Sequence, residues 1–160
     1  TKDVMDDPCQ RENAINTFAQ LLEYGVIPIV NENDTIATDE IGFGDNDRLS
    51  AYVAALVQAD LLILLSDIDG LYTADPTAHP EATQIKEVHQ ITAEIEAMAG
   101  STHSGVGTGG MITKIMAAQI ATEAGIDMMI ANAAEPDVLE RIFEGEELGT
   151  YFYGCREILA

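Results

Sequence analysis

Four stretches of this chain bring together residue types that handle phosphate and carboxylate groups. The first reads Gly105-Val106-Gly107-Thr108-Gly109-Gly110-Met111-Ile112-Thr113-Lys114. Glycine lets backbone N–H groups approach an anion and adopt positive φ. A helix opening directly behind such a loop aims further free N–H groups at the same anion. Lys114, one turn into that helix, adds a point charge within reach of a phosphate. The GxxxxGK[ST] spacing of a P-loop is absent, and the glycines alone describe a surface loop before a helix equally well.

The second stretch, Ser66-Asp67-Ile68-Asp69-Gly70, closes an apolar run and continues as Leu71-Tyr72-Thr73-Ala74-Asp75-Pro76. Ser66 and Asp67 fall where an open α/β sheet binds nucleotides, at the carboxyl end of a strand. Taken alone, Asp, Gly and Pro also make an ordinary turn. The third, Asn31-Glu32-Asn33-Asp34, follows another apolar run. Asn donates and accepts, and Asp34 can accept from an ammonium group, so the set suits an amino-acid ligand or a solvated loop. The fourth, Gly44-Asp45-Asn46-Asp47, consists of helix-capping residues. A functional reading puts Asn46 on substrate and has Asp47 orient lysines around a transferring phosphoryl group. His79, His89 and His103 lack the spacing of metal ligands, and Cys9 and Cys155 carry no redox motif. No protein metal site is expected.

Regular elements must position these stretches. A first helix is capped by Asp6 or Asp7 with Pro8 in its first turn. It carries an apolar stripe of Ala14, Ile15, Phe18, Leu21 and Leu22 and stops at Gly25. Residues 26–30 then read as a strand, with Pro28 pointing to an edge or irregular pairing. A polar loop follows, with a short hairpin around Ile36 and Ile41. A helix from about Asp45 presents Leu49, Val53, Leu56 and Val57, and residues 60–65 read as a strand covered on both faces. Residues 67–81, which include Pro76 and Pro80, form a loop.

A modest helix spans 91–98. The helix from Met111 to about Ala124 is expected to bury Ile112, Ile115 and Met116 and to stop at Gly125. Residues 127–131 read as a strand. Pro136 opens a helix with Val138, Leu139, Ile142 and Phe143 inward, and residues 150–153 form a last strand. Alternation of this kind predicts a layered α/β domain with a largely parallel sheet.

Composition narrows the function classes. The 160 residues suit about one domain, and 47% hydrophobic content allows a real core. With 28 acidic against 7 basic residues the formal charge is −21. That excludes a nucleic-acid surface and repels anionic lipid. An anionic ligand would therefore need local neutralisation by magnesium, backbone N–H groups and a few placed lysines. No apolar run is long enough to span a bilayer, no signal peptide is visible, and two cysteines suit a reducing compartment, so a cytoplasmic protein is expected. The chain opens without Met in what reads as continuous sequence, so a fragment is expected.

The four blocks, in this order, resemble the amino acid kinase family: residues 30–34, residues 44–47 with Leu49-Ser50-Ala51, residues 65–67 with 70–76, and residues 104–111 with Thr113-Lys114. The resemblance covers nearly the whole chain. It implies a three-layer α/β sandwich, here a partial kinase domain over 1–160 whose N-terminal part is missing, with no second domain. It further implies transfer of the ATP γ-phosphoryl group to the side-chain carboxylate of L-glutamate, the first step of proline biosynthesis. Related members that act on acetylglutamate, aspartate or uridylate are the alternatives, as is a non-catalytic ATP-binding module.

Carried over position by position, Asn31, Asp34 and Asn46 would contact glutamate. Ser66, Asp67, Thr108, Gly109, Gly110, Met111, Ile112, Thr113 and Lys114 would contact ATP, with Mg2+ held mainly through the phosphates. Lys114 would stabilise charge on the phosphoryl group, and Asp47 would hold the lysines in place. Such transfer needs positioning and charge neutralisation more than covalent help, and a carboxylate acceptor is already ionised near neutral pH. The family also implies a homo-oligomer, dimer or tetramer. Its first glycine loop and second lysine have no counterpart here, so the chain alone is expected to be catalytically crippled. Ser66 stands where Thr is common, which keeps the hydroxyl.

Overall fold

The computed structural model describes residues 3–33, 46–100 and 110–156. In chain order the elements are α1 (Asp3–Asp6), α2 (Pro8–Glu23), α3 (Asn46–Val57), β1 (Leu61–Ser66), β2 (Glu87–Val88), α4 (Ala93–Gly100), α5 (Met111–Glu123), β3 (Asp127–Asn132), α6 (Val138–Phe143) and β4 (Thr150–Phe152). The strands form one sheet in the order β1-β3-β4-β2. β1 pairs with β3 in parallel, β2 with β4 in parallel, and β3 with β4 antiparallel.

Two helix–strand returns organise the molecule. α3 ends in a turn with Gln58 at φ 52°, and β1 starts three residues later. α5 ends at Gly125, φ 78°, two residues before β3. Each helix therefore runs back along the strand that follows it. Twelve or thirteen helical residues span about 18–20 Å, and a six-residue strand spans about 20 Å. The N-termini of α3 and α5 thus come level with the carboxyl ends of β1 and β3.

The core lies between these helices and one face of the sheet. Leu64, Met128, Ile130, Val88 and Phe152 point into it from the strands. Ala51 and Ala54 of α3, and Ala117, Ala118 and Ala121 of α5, are buried with them. Alanine at these turns lets the two helices approach closely, which the dense interior requires. α4 packs on α5. α6 stands over the opposite face, where Ile142 and Phe143 line a groove with Met129 and Tyr151. Helices on both faces of a mostly parallel sheet make the expected sandwich.

Several expectations are corrected. Residues 26–30 form no strand among the described residues, and Ile27 and Ile29 are 87% and 97% exposed. An apolar run becomes a strand only where a sheet edge completes its hydrogen bonds. In α2, Asp7 caps as read, accepting from the N–H groups of Cys9 and Gln10 at 2.8 and 3.2 Å, and those bonds hold its carboxyl below the usual range. No residue of α2 is fully buried. Ala14, Phe18 and Leu21 make the half-buried face, while Ile15 and Leu22 are exposed.

Among the described residues β1 lies at the edge of the sheet and is covered only in part: Leu64 is buried and Leu65 exposed. In α5, Ile112 and Met116 are exposed, and the buried face is Met111, Lys114, Ile115 and the alanines. α6 begins at Val138 rather than Pro136, because Asp137 is left-handed at φ 53°. Leu139 and Phe143 point outward, and only Val138 is buried. The short strand β2 lies between the loop read to residue 81 and the helix read from residue 91, where no element was expected. The hairpin around Ile36 and Ile41 lies outside the described residues.

Candidate functional site

The α3 and α5 N-termini meet at an ion pair. Lys114 Nζ lies 3.0 Å from Asp47 Oδ2, with side chains 7% and 19% exposed. Burial of a lysine ammonium is costly unless it is paired, so the pair explains why Lys114 can sit in the core face of α5. Thr113 Oγ1 lies 2.9 Å from Asp47 Oδ2 and 2.7 Å from the Gly110 carbonyl, with one proton to share between them. Ser50 Oγ donates to the Asp47 carbonyl at 2.6 Å, which secures the first turn of α3 around the carboxylate.

The N-cap of α5 is Gly110, which has no side chain to satisfy the first N–H groups of the helix. The first turns of both helices thus add positive partial charge beside Lys114. Asp47 offsets part of it and fixes the ammonium in place. The result is a corner of hydrogen-bond donors around a charge-paired ammonium at the carboxyl edge of the sheet, suited to an anion.

Ser66 ends β1 at the same edge, and its hydroxyl donates to Asp67 Oδ1 at 2.9 Å. Directly across the ladder stands Asn132, the last residue of β3. Its Oδ1 accepts from the Ala134 N–H at 2.8 Å, and the Ala133 N–H donates to the Ser66 carbonyl at 2.7 Å. Asn132 was missed from sequence. Its signal was there: like Ser66, it is a polar residue closing an apolar strand.

The expected site residues are only partly gathered. Asp47, Thr113 and Lys114 are in contact, with Gly110 beside them. Ser66 and Asp67 close β1. Asn46 is exposed at the start of α3. Met111 points into the core, so its backbone N–H rather than its side chain faces the helix entrance, whereas Ile112 is exposed. Asn31 is exposed and donates to the Glu32 carbonyl at 3.0 Å. Asp34, Thr108 and Gly109 lie outside the described residues. Among the described residues no three His, Cys, Asp or Glu side chains are grouped to hold a metal ion. The groove of about 780 Å³ over the opposite sheet face contains none of these residues. Among the described residues no helix is long and apolar enough to cross a membrane.

Comparison with known proteins adds to this geometry. The model of the amino acid kinase family matches residues 3–132. The glutamate 5-kinase of Clostridium perfringens is 53% identical over 156 residues, 95% of this chain and 58% of its own length. That of Carboxydothermus hydrogenoformans is 62% identical over 141 residues, 88% of this chain and 38% of its own length. The chain thus spans well under two thirds of these relatives. Among solved structures, the UMP kinases of Bacillus anthracis and Ureaplasma parvum superpose with TM-scores of 0.54 and 0.56 at 18% and 15% identity. They cover 91% and 87% of this chain, and the matches take in 52% of each of their own chains. At such identities they speak to the fold alone.

Proposed function

Because the chain belongs to the amino acid kinase family, we propose that it supplies the nucleotide side of a glutamate 5-kinase, which phosphorylates the side-chain carboxylate of L-glutamate with ATP. The observation that carries the reading is Lys114, buried at the entrance of a glycine-capped helix and held by Asp47. The glutamate 5-kinase relatives at 53% and 62% identity favour glutamate as the acceptor.

In this reading the N–H groups of the α5 entrance and the Lys114 ammonium surround the transferring phosphoryl group, and no covalent intermediate on the protein is required. Asp47 keeps Lys114 from swinging toward solvent and sets its distance to the phosphate. Ser66, Asp67 and residues 108–113 bind the rest of ATP. Asn31, Asp34 and Asn46 hold the acceptor so that its carboxylate meets the phosphorus in line. Mg2+, held mainly through the phosphates, would shield their charge. Cytoplasmic location and assembly into a dimer or tetramer belong to the same reading.

Hydroxylamine trapping of the acyl phosphate tests it in the full-length gene product, with ATP, Mg2+ and a panel of glutamate, aspartate, N-acetylglutamate and UMP. Glutamate-dependent hydroxamate is the expected result. ADP release with UMP alone would transfer the protein to another branch of the family, and none with any acceptor would leave a non-catalytic nucleotide-binding module.

A further inference from the structure

Between β1 and β2 the chain makes a long excursion. It is a hairpin in its own right: Ile85 N–H donates to the Leu71 carbonyl at 2.8 Å and Thr73 N–H to the Thr83 carbonyl at 3.0 Å. Thr83 N–H also donates to Thr73 Oγ1 at 3.1 Å. Tyr72 and Gln84 form an antiparallel bridge between the limbs. Excursions of this length in a compact domain are commonly functional. A stiff hairpin moves as one body, so its placement depends on how its base is fixed.

One hydroxyl reaches both limbs of that base. Thr150, in β4, is wholly buried. Its Oγ1 accepts from the Leu71 N–H at 2.8 Å and donates to the Ile85 carbonyl at 2.6 Å. One side chain thus ties both limbs to the sheet and satisfies two buried backbone groups. Gly70, at φ 147°, makes room for it: a Cβ there would come within 2.6 Å of the same Oγ1. Gln84 adds a second tie, Nε2 to the Asp69 carbonyl at 2.6 Å. Packing alone does not call for a hydroxyl at position 150, since valine fills a strand position of that shape equally well.

We propose that Thr150 is a positioning residue for the nucleotide. Resting on the kinase reading above, it fixes the base of the 70–85 hairpin and so sets where Asp67, immediately upstream at the end of β1, stands toward bound ATP. Asp47 and Lys114 ride on α3 and α5, respectively, instead. Loss of the tie therefore weakens ATP binding and spares the phosphoryl-transfer step.

Steady-state kinetics of the full-length gene product tests this with Thr150→Val, Thr150→Ser and Gln84→Met. Thr150→Val is expected to raise the KM for ATP about tenfold, the equivalent of one to two net hydrogen bonds. Its kcat and acceptor KM should stay within about twofold, and Thr150→Ser should restore the ATP KM. Gln84→Met, in a partly exposed position, should shift the ATP KM in the same direction by about threefold. It decides the matter if Thr150→Val does not fold. An unchanged ATP KM with only a lowered Tm, or equal losses in kcat and in the KM of both substrates, overturns the assignment. Wild-type protein without ATP-dependent turnover refutes the kinase reading and the assignment together.

Discussion

If Asp47 holds Lys114, the two side chains must be energetically coupled, and a double-mutant cycle on stability measures that coupling. At 3.0 Å and an effective dielectric of about 20, the bare attraction is about 5–6 kcal/mol. Desolvation of a lysine 7% exposed and a carboxylate 19% exposed offsets much of it, leaving an expected coupling of about 2–3 kcal/mol. Lys114→Met leaves the carboxylate facing Thr113 without the ammonium. Asp47→Asn leaves the ammonium with an amide oxygen. Each single change should cost about 3 kcal/mol in urea unfolding, because each removes the opposite charge 3.0 Å from a largely buried group. The double variant should cost clearly less than their sum, since an amide beside a thioether side chain strands no charge. In turnover assays, Asp47→Asn should lower kcat by roughly a hundredfold while the KM for ATP moves little, as expected when a group acts on the transition state through another residue. Additive stability losses, within about 0.5 kcal/mol, would refute the idea that one side chain restrains the other.

Two further predictions rest on backbone and titration. Gly149 is at φ 74° and a Cβ there would lie 1.9 Å from the Ile130 carbonyl oxygen, whereas Gly145, at φ 88°, has open space. Gly149→Ala should therefore cost about 3 kcal/mol or more, and Gly145→Ala only about 1–2 kcal/mol, in equilibrium unfolding; equal losses would mean that β3 and β4 yield to the methyl group. Burial, with help from the hydrogen bond its hydroxyl gives Asp127 at 2.8 Å, pushes the Tyr151 phenol up to about 12. The folded state then holds this proton more tightly than the unfolded chain, so the contribution is intact below pH 10 and fades as pH rises toward 12. Screened by solvent, it amounts to about 1–2 kcal/mol. The stability gap between wild type and Tyr151→Phe should close over that interval, and a constant gap would contradict the assignment.

Local signals carried much of the fold. Asp7 and Pro8 announce α2, Gly25 and Gly125 end their helices in left-handed turns, and the run after Asp60 makes β1. Failures occurred where a residue's place depends on a distant partner. Apolarity pointed to Ile112 and Met116 as the inner face of α5, yet the helix turns Lys114 inward, because its partner 67 positions away neutralises it. The run 26–30 has the composition of a strand and no strand partner among the described residues. Burial of Thr150 was invisible for the same reason: its two partners belong to a segment whose pairing no periodicity reveals. At the candidate site, the types of Ser66, Asp47, Thr113 and Lys114 were legible, and the sequence alone could not place Asn132 beside Ser66.

The equal lengths of α3 with β1 and of α5 with β3 make the Asp47–Lys114 corner sensitive to residue count. One residue inserted into the middle of α3 would rotate Asp47 by about 100° and lift it about 1.5 Å along the axis, away from Lys114. An insertion in the 70–85 hairpin tip would leave both helix entrances untouched. Length variation compatible with this architecture is therefore confined to the connections, while the helix–strand pairs behave as fixed gauges.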